Sequence, residues 1–367
     1  MKKIGIPQIA KIANVSLGTV DRALHGRRGI SEATRKRILQ IAQDHDYRPN
    51  SAARALKAGR QSLRIGVCIP EGIHRYFDQI KEGMEAEAIG LDDLGLSLIY
   101  SPRERLETDP SEQIRSLLAR DVQALIICPG QSKIIAPLID DAESRGIRVI
   151  CVSSDVAESN RSTVVWVDPD MSGRVAGELM AKLVQGSGDV AIVTGSLNVE
   201  NHRRKTESFR EEFERLGRGN RVINIVEDHD DPAIGFKEVW RLLDDSTSLR
   251  GIYVSTANCL PVCQNITARN LIGKIALITT DLFPEMIPYF DQQVISASIY
   301  QRPFRLGREA LRIAVNGLIN MEPIQHNYSF SPQIVMSSNV GLFRETARKA
   351  ATARKPPTGR EPATAYT

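Results

Sequence analysis

Apolar positions follow two different rules along this chain. In the first fifty residues they recur at helical spacing. IPQIAKIA places Ile6, Ile9, Ala10 and Ala13 on one stripe. Asn14 then offers the left-handed conformation that a sharp turn needs. Ser16 is the expected N-cap of LGTVDRALH, and Ser31 that of ATRKRILQIAQDH. Val15 and Val20 fill the space between the first two helices, small Ala10 lets them approach, and Ile38, Ile41 and Ala42 close a three-helix core. The pattern is helix, short turn, helix, then a third helix.

From Leu63 onward the rule changes to continuous apolar runs alternating with helical stretches. LRIGVCI, LSLIY, ALIIC and VICV alternate with helices near 76–90, 110–120 and 132–145. A second series starts near Val164 with VVWV. It continues through helix 171–185, DVAIVTG, helix 202–216, VINIV, helix 231–245, GIYVS, helix 259–270 and IALIT. Runs without polar alternation fit parallel strands buried on both faces. Two successive βαβ series predict two doubly wound lobes, with a ligand cleft at the C-terminal ends of their strands. The late strand VISASIY and helix 302–317 are read as a return to the first lobe. The fold class is α/β, a small all-α helix-turn-helix head joined to a two-lobed doubly wound body. The expected boundaries are 1–48 for the head, 49–62 for a hinge helix and linker, 63–343 for the body, and 344–367 for a disordered basic tail.

Charge sharpens this division. Residues 1–60 hold 13 Lys/Arg against 4 Asp/Glu, residues 344–367 hold 6 against 2, and residues 61–343 hold 29 against 38. A basic head on an acidic body suggests a polyanion partner for the head alone, against the plain alternative of a solubilising surface. No apolar stretch reaches the roughly 18 residues that would span a bilayer. MKKIGIPQIAKIANVS has no apolar core behind its lysines, so no secretory signal is expected. The five cysteines, at 68, 128, 151, 259 and 263, form no CxxC pair. With no export signal they fit a reduced cytoplasm. Cys259 and Cys263 share a helix face without the partners zinc requires. There is no GxSxG, Walker loop or HExxH, and GSGDVAIVTGS lacks dinucleotide-binding spacing. Neither a reaction nor a cofactor is expected.

In a helix-turn-helix the second helix enters the major groove with its first residues against the bases. Here those are Leu17, Gly18, Asp21 and Arg22. Arg22 can donate two hydrogen bonds to guanine. Asp21 either accepts from cytosine or orients Arg22, the favoured reading, and Leu17 suits a thymine methyl. Thr19, His25, Arg27 and Arg28 suit phosphates, which set register. Further on, YRPNSAARALKAG has one apolar projection, Leu56, on a small-residue face of Ala52, Ala53 and Ala55. It is either a minor-groove wedge that packs against its symmetry mate or a plain linker.

The run from Ile6 to Gly59 resembles, without a gap, the head of the lactose-repressor (LacI/GalR) family of bacterial transcription regulators. The motif consists of ANVS at 13–16, Thr19 and Val20, Arg22, YRPN at 47–50, and AxxL ending at Leu56. Most members carry serine where Asp21 stands and a larger residue where Gly18 stands, so operator preference is expected to differ. The resemblance implies that 50–58 is a hinge helix ordered on operator DNA, with Asn50, Ala53 and Leu56 at the DNA. It also implies that the body is similar to periplasmic sugar-binding proteins. Matched position by position, the implied ligand residues are Tyr76, Phe77, Ser154, Asp155, His202, Lys205, Asn258, Asp281 and Gln301. Lys205 stands where the family usually has arginine, so a planar bidentate contact is lost and an anionic ligand stays open beside a neutral sugar. The expected partners are double-stranded operator DNA, a small-molecule effector and a second copy of the chain. No leucine heptad tail is present, which favours a dimer over a tetramer. An uptake-system solute receptor would share the body, but would need an export signal and no basic head.

Overall fold

The structure, a computed structural model, describes residues 6–24, 29–44, 62–130, 132–184, 186–217, 219–320 and 323–342. Helices α1 (Ile6–Ala13), α2 (Leu17–Leu24) and α3 (Glu32–Asp44) form the head. Asn14 adopts φ 49°, and the amide of Val15 donates to Ala10 O at 3.0 Å, so the turn is made at the predicted residue. Ser16 Oγ accepts from Thr19 N and Ser31 Oγ from Thr34 N, each at 3.2 Å, which satisfies a free amide at the start of α2 and of α3. Ile9, Ala10, Ala13, Val20, Ala23 and Ile38 are buried together, with Val15, Ile41 and Ala42 packed against them. Two arginines of the basic head are structural. Arg37 donates to Ala13 O, and Arg35 donates to Ala23 O at 3.4 Å. They tie α3 to the carbonyl-rich ends of α1 and α2, where a cation is favoured.

The body contains two six-stranded sheets. The first uses β1 (Leu63–Cys68), β2 (Leu96–Tyr100), β3 (Ala124–Ile127), β4 (Arg148–Val152) and β5 (Thr163–Val167), with helices α4 (His74–Ala88), α5 (Ser111–Leu118) and α6 (Ser132–Ser144) between strands. After α7 (Pro169–Leu183), the second uses β6 (Asp189–Thr194), β7 (Val222–Glu227), β8 (Leu249–Val254), β9 (Ala276–Thr280) and β10 (Ala297–Tyr300). Its intervening helices are α8 (Glu200–Leu216), α9 (Pro232–Asp245), α10 (Leu260–Ala268) and short α11 (Ile287–Asp291). Helix α12 (Pro303–Asn320), β11 (Asn327–Phe330) and β12 (Gln333–Val335) follow. The strand orders are β11-β5-β4-β3-β1-β2 and β12-β10-β9-β8-β6-β7. The described pairings are parallel except β10 with β12. Strands β3 and β5 are buried along their whole length, as their unbroken apolar runs predict.

The crossings between lobes differ from expectation at two points. Strand β5, predicted to begin the second series, pairs with β4 in the first sheet, and the chain crosses over only after it. The strand of VISASIY stays in the second sheet, paired with β9 in register Ala297 to Ile278, while α12 returns to pack on α4 and β11 after it pairs with β5. A strand buried on both faces carries no mark of the sheet it joins, so its sequence could not decide this.

In MSGRVAG of α7 the two glycines lie against a helix, while Ala176 packs with Ile192, Ile278 and Ile299 of the second sheet. A Cβ on Gly173 would overlap Ser208 Oγ and the Lys205 carbonyl, and one on Gly177 would lie 2.7 Å from the Phe209 carbonyl. This close approach fixes α8, which carries several residues of the cleft. Beneath it Phe209 stacks on Tyr253 with centroids 4.6 Å apart. Among the described residues, no helix is long and apolar enough to cross a membrane.

Candidate functional site

The start of α2 faces solvent. Leu17 is 55% exposed, an unusual placement for leucine next to a formed core. Gly18 and Arg22 are exposed as well, and a Cβ on Gly18 would meet nothing nearer than 3.9 Å. Thr19 is half-buried, its hydroxyl 2.8 Å from Ser16 Oγ. The backbone of Asp21 lies within α2. His25, Arg27, Arg28, Asn50, Ala53 and Leu56 lie outside the described residues, as does the expected hinge helix.

In the body, the C-terminal strand ends of both lobes line a cavity that opens to solvent. Tyr76, Phe77, Cys128, Ser153 and Ser154 line it from the first lobe; Asn201, His202, Lys205, Asp230, Thr256, Asp281 and Gln301 line it from the second. Several of these sit at strand ends in the left-handed region, with φ 69° at Ser153, 54° at Asp230 and 66° at Asp281. The turns aim side chains into the cleft. Tyr76 meets Phe77 edge-on at 5.0 Å, and its hydroxyl is 2.9 Å from Ser153 Oγ.

Charge inside the cavity is arranged around Lys205. Its Nζ donates to Ser255 O at 2.6 Å and is flanked by Asp281 and Asp230. Burial pushes this ammonium down to about 8, and the two carboxylates pull it partly back. Burial likewise pushes Asp281 up to about 6, opposed by Lys205 and by bonds from Gln301 N (3.2 Å) and Nε2 (2.8 Å). Burial also raises Asp230. His202 is pushed down to about 3, by burial first and then by Lys205. Its Nδ1 accepts from Ser196 N at 3.2 Å, so the proton resides on Nε2 and the neutral ring is a donor there. Asn201 spans the lobes, Nδ2 donating to Ser153 O at 2.8 Å, while its Oδ1 is buried without a partner.

Residues 65–320 match the family model described as periplasmic binding protein domain, and residues 6–50 match that of bacterial regulatory proteins, lacI family. The chain belongs to the LacI family. Its body belongs to the periplasmic binding protein domain family, and the chain is a DNA-binding transcriptional regulator. Catabolite control protein A of Priestia megaterium is 24% identical over 254 residues, covering 69% of this chain and 74% of that relative. HTH-type transcriptional regulator DegA of Bacillus subtilis is 23% identical over 272 residues, covering 74% and 78%. Among solved structures, an ABC-transporter solute-binding protein from Burkholderia graminis in complex with D-arabinose aligns with TM-score 0.71 at 23% identity. It covers 76% of this chain and 96% of that one.

In this LacI-family chain, the structure brings seven of the nine sequence-predicted cleft residues to one cavity: Tyr76, Phe77, Ser154, His202, Lys205, Asp281 and Gln301. It places the other two elsewhere. Asp155 does not line the cavity; it is held by Arg161, whose NH2 donates to Oδ2 at 2.6 Å, and by Val156 N at 2.7 Å. Asn258 donates to Asp228 Oδ2 at 2.8 Å, behind the cavity wall; Thr256, two residues earlier, lines the wall in its place. Sequence reasoning missed Ser153, Asn201, Asp230 and Thr256. Asn201 stands in the same helical stretch as His202 and Lys205. With Lys205 taken as inward-facing, the i, i+4 rule points to Asn201.

Proposed function

We propose that this regulator binds operator DNA as a homodimer, and that a neutral, hydroxyl-rich molecule of the sugar class in the cleft controls its affinity. The observation that carries the ligand class is the charge of the cavity. One ammonium, Lys205, faces two carboxylates, Asp230 and Asp281. A sugar acid or phosphate would add a third anion to a buried site, where uncompensated charge is expensive. Neutral hydroxyls can instead donate to the carboxylates and to Asn201 Oδ1, and accept from Lys205 and His202 Nε2. Phe77 and Tyr76 supply apolar surface for a ring face. The structural neighbour solved with D-arabinose shares the fold of this body, which supports the same ligand class here.

Ligand between the lobes stabilises the closed body, and the segment at 49–62 passes that state to the paired heads. Two heads bound to one duplex read half-sites related by two-fold symmetry. The uptake-receptor alternative accounts for the cleft but not for a helix-turn-helix head. The test is a thermal-shift screen of the full-length chain with neutral sugars, polyols, sugar acids and sugar phosphates. A neutral sugar at 100 times its Kd stabilises the body by about 2.7 kcal/mol. Stabilisation by acids or phosphates alone would overturn the charge argument. The same ligand then has to change the midpoint of an operator titration.

A further inference from the structure

Two loops meet across the mouth of the cleft, one from each lobe. The first follows β2 and carries Arg105 and Glu107; the second follows β7 and carries His229 and Asp231. Glu107 Oε1 lies 3.0 Å from His229 Nδ1, and Arg105 NH2 lies 3.7 Å from Asp231 Oδ2. Glu107 also accepts from the hydroxyl of Ser196, which follows β6.

Each arm is fixed by its own lobe. Buried Arg103 donates to Thr108 O at 2.9 Å, Pro129 O at 3.1 Å and Cys128 O at 2.7 Å, which pins the loop that presents Glu107. His229 N donates to Gly195 O at 2.9 Å, and His229 and Asp230 both stand in the left-handed region, at φ 53° and 54°. Residues other than glycine seldom enter that region, so the turn keeps its shape through its bonds. Parting the lobes therefore breaks the pairs instead of drawing the loops along.

The pair between the arms is strongest with a proton on the ring, because an ionised partner adds charge to the hydrogen bond. The charges facing His229 are Glu107 across the mouth, Glu227 at the end of β7 and Asp228 in its own turn. The nearby cations are engaged elsewhere, Arg105 with Asp231 and Lys205 of α8 with Asp230 and Asp281. The bond to Glu107, opposed by burial and helped by the three carboxylates, holds His229 above its ordinary value near 6.5. Burial alone would raise Glu107, but its bonds to Ser196 and His229 and the charges of His229 and Arg105 hold it below the usual carboxylate range. With the lobes apart the ring returns to its ordinary value, so closing takes up a proton near neutral pH. This contribution to closure is complete below about 6.5 and is lost as pH rises through the raised value of His229.

We propose that Glu107 and His229 form a proton-dependent clasp across the cleft mouth, so that mild acid favours the closed body whatever molecule the cleft takes.

The protein carries its own reporter. Cys128 is a free thiol lining the cavity, so its alkylation follows opening, while Cys68 and Cys151, in the core of the same lobe, follow unfolding. The full-length chain, without ligand, is treated with N-ethylmaleimide at about pH 6 and about pH 8.5, on either side of the imidazole titration. Labelling of each cysteine is read by peptide mass spectrometry. A half-exposed ion pair shifts an equilibrium by only a few-fold. His229→Gln and Glu107→Gln are each expected to label Cys128 about threefold faster than the parent near pH 6, with Cys68 and Cys151 unchanged. Near pH 8.5 that ratio should fall toward one. Comparison at the same pH cancels the thiol's own reactivity and the other groups that titrate there, Asp228, Asp281 and Lys205. Equal rates in the parent and both variants near pH 6 would overturn the clasp, as would the same acceleration at Cys68 and Cys151. A ratio that does not change with pH would overturn the part played by the proton.

Discussion

At the scale of single residues, the two ends of the chain make different demands. In the head, the exposed start of α2 has one long donor, Arg22, beside a bare Gly18. Arg22→Ala should cost about 1–3 kcal/mol in binding to the preferred operator and much less on random duplex. Equal losses on both would make Arg22 a phosphate contact. Gly18→Ala has open space around it, so it should raise the melting stability of the head by up to about 1 kcal/mol. A lower melting temperature would show that the bare backbone is structurally required. In the cleft, the residues legible in sequence were those that end a strand or follow one, such as Asp281 at the end of LITTD and Gln301 after SIY. Asp155 also ends a strand, yet it is claimed by Arg161, six residues on. Position marked both carboxylates as candidates, and only the partner's location separates them.

At the scale of elements, the helices and strands were nearly all readable, because periodicity and caps are local. The assignment of strands to sheets was not, because β5 and β10 are chosen by what lies beside them. The pairing of α7 with α8 is a second case of information that appears only on packing. The small residues of MSGRVAG permit close approach, and only the packed structure shows that the glycines meet α8. The consequence is testable. Gly173→Ala forces the two helices apart at the turn that carries Lys205, and overpacking of this kind costs about 1–3 kcal/mol. Adding Ser208→Ala should recover only part of this, since the Lys205 carbonyl still blocks the new methyl group. A single variant that melts like the parent would mean that the two helices slide freely, and that Lys205 is not held in place by them.

At the scale of the whole molecule, the buried charge that equips the cleft also weakens the fold. Asp228 sits behind the cavity wall, accepting from Asp230 N at 2.9 Å and from Asn258 Nδ2 at 2.8 Å. Burial, then the Asp230 charge, pushes its pKa up to about 7 from an ordinary value near 3.8. Asp281 is raised in the same sense, to about 6. The sign follows from proton counts. Between about pH 4 and 7 the folded protein holds protons on these groups that the unfolded chain has released, so stability falls as pH rises through that window. Above it the penalty is complete, on the order of a few kcal/mol for Asp228. Asn at 228 keeps an acceptor for Asp230 N, and the Asn258 amide can turn to offer its oxygen to the new NH2. Asp228→Asn should therefore melt higher than the parent at pH 8, and the two proteins should converge near pH 4. Comparing them at each pH cancels the carboxylates they share, including those lowered by ion pairs. A difference that does not change with pH would mean that Asp228 is ionised throughout the window, with its bonds outweighing its burial. An Asp228→Asn protein that melts lower than the parent at pH 8 would mean that the charge itself supports the turn leading into α9.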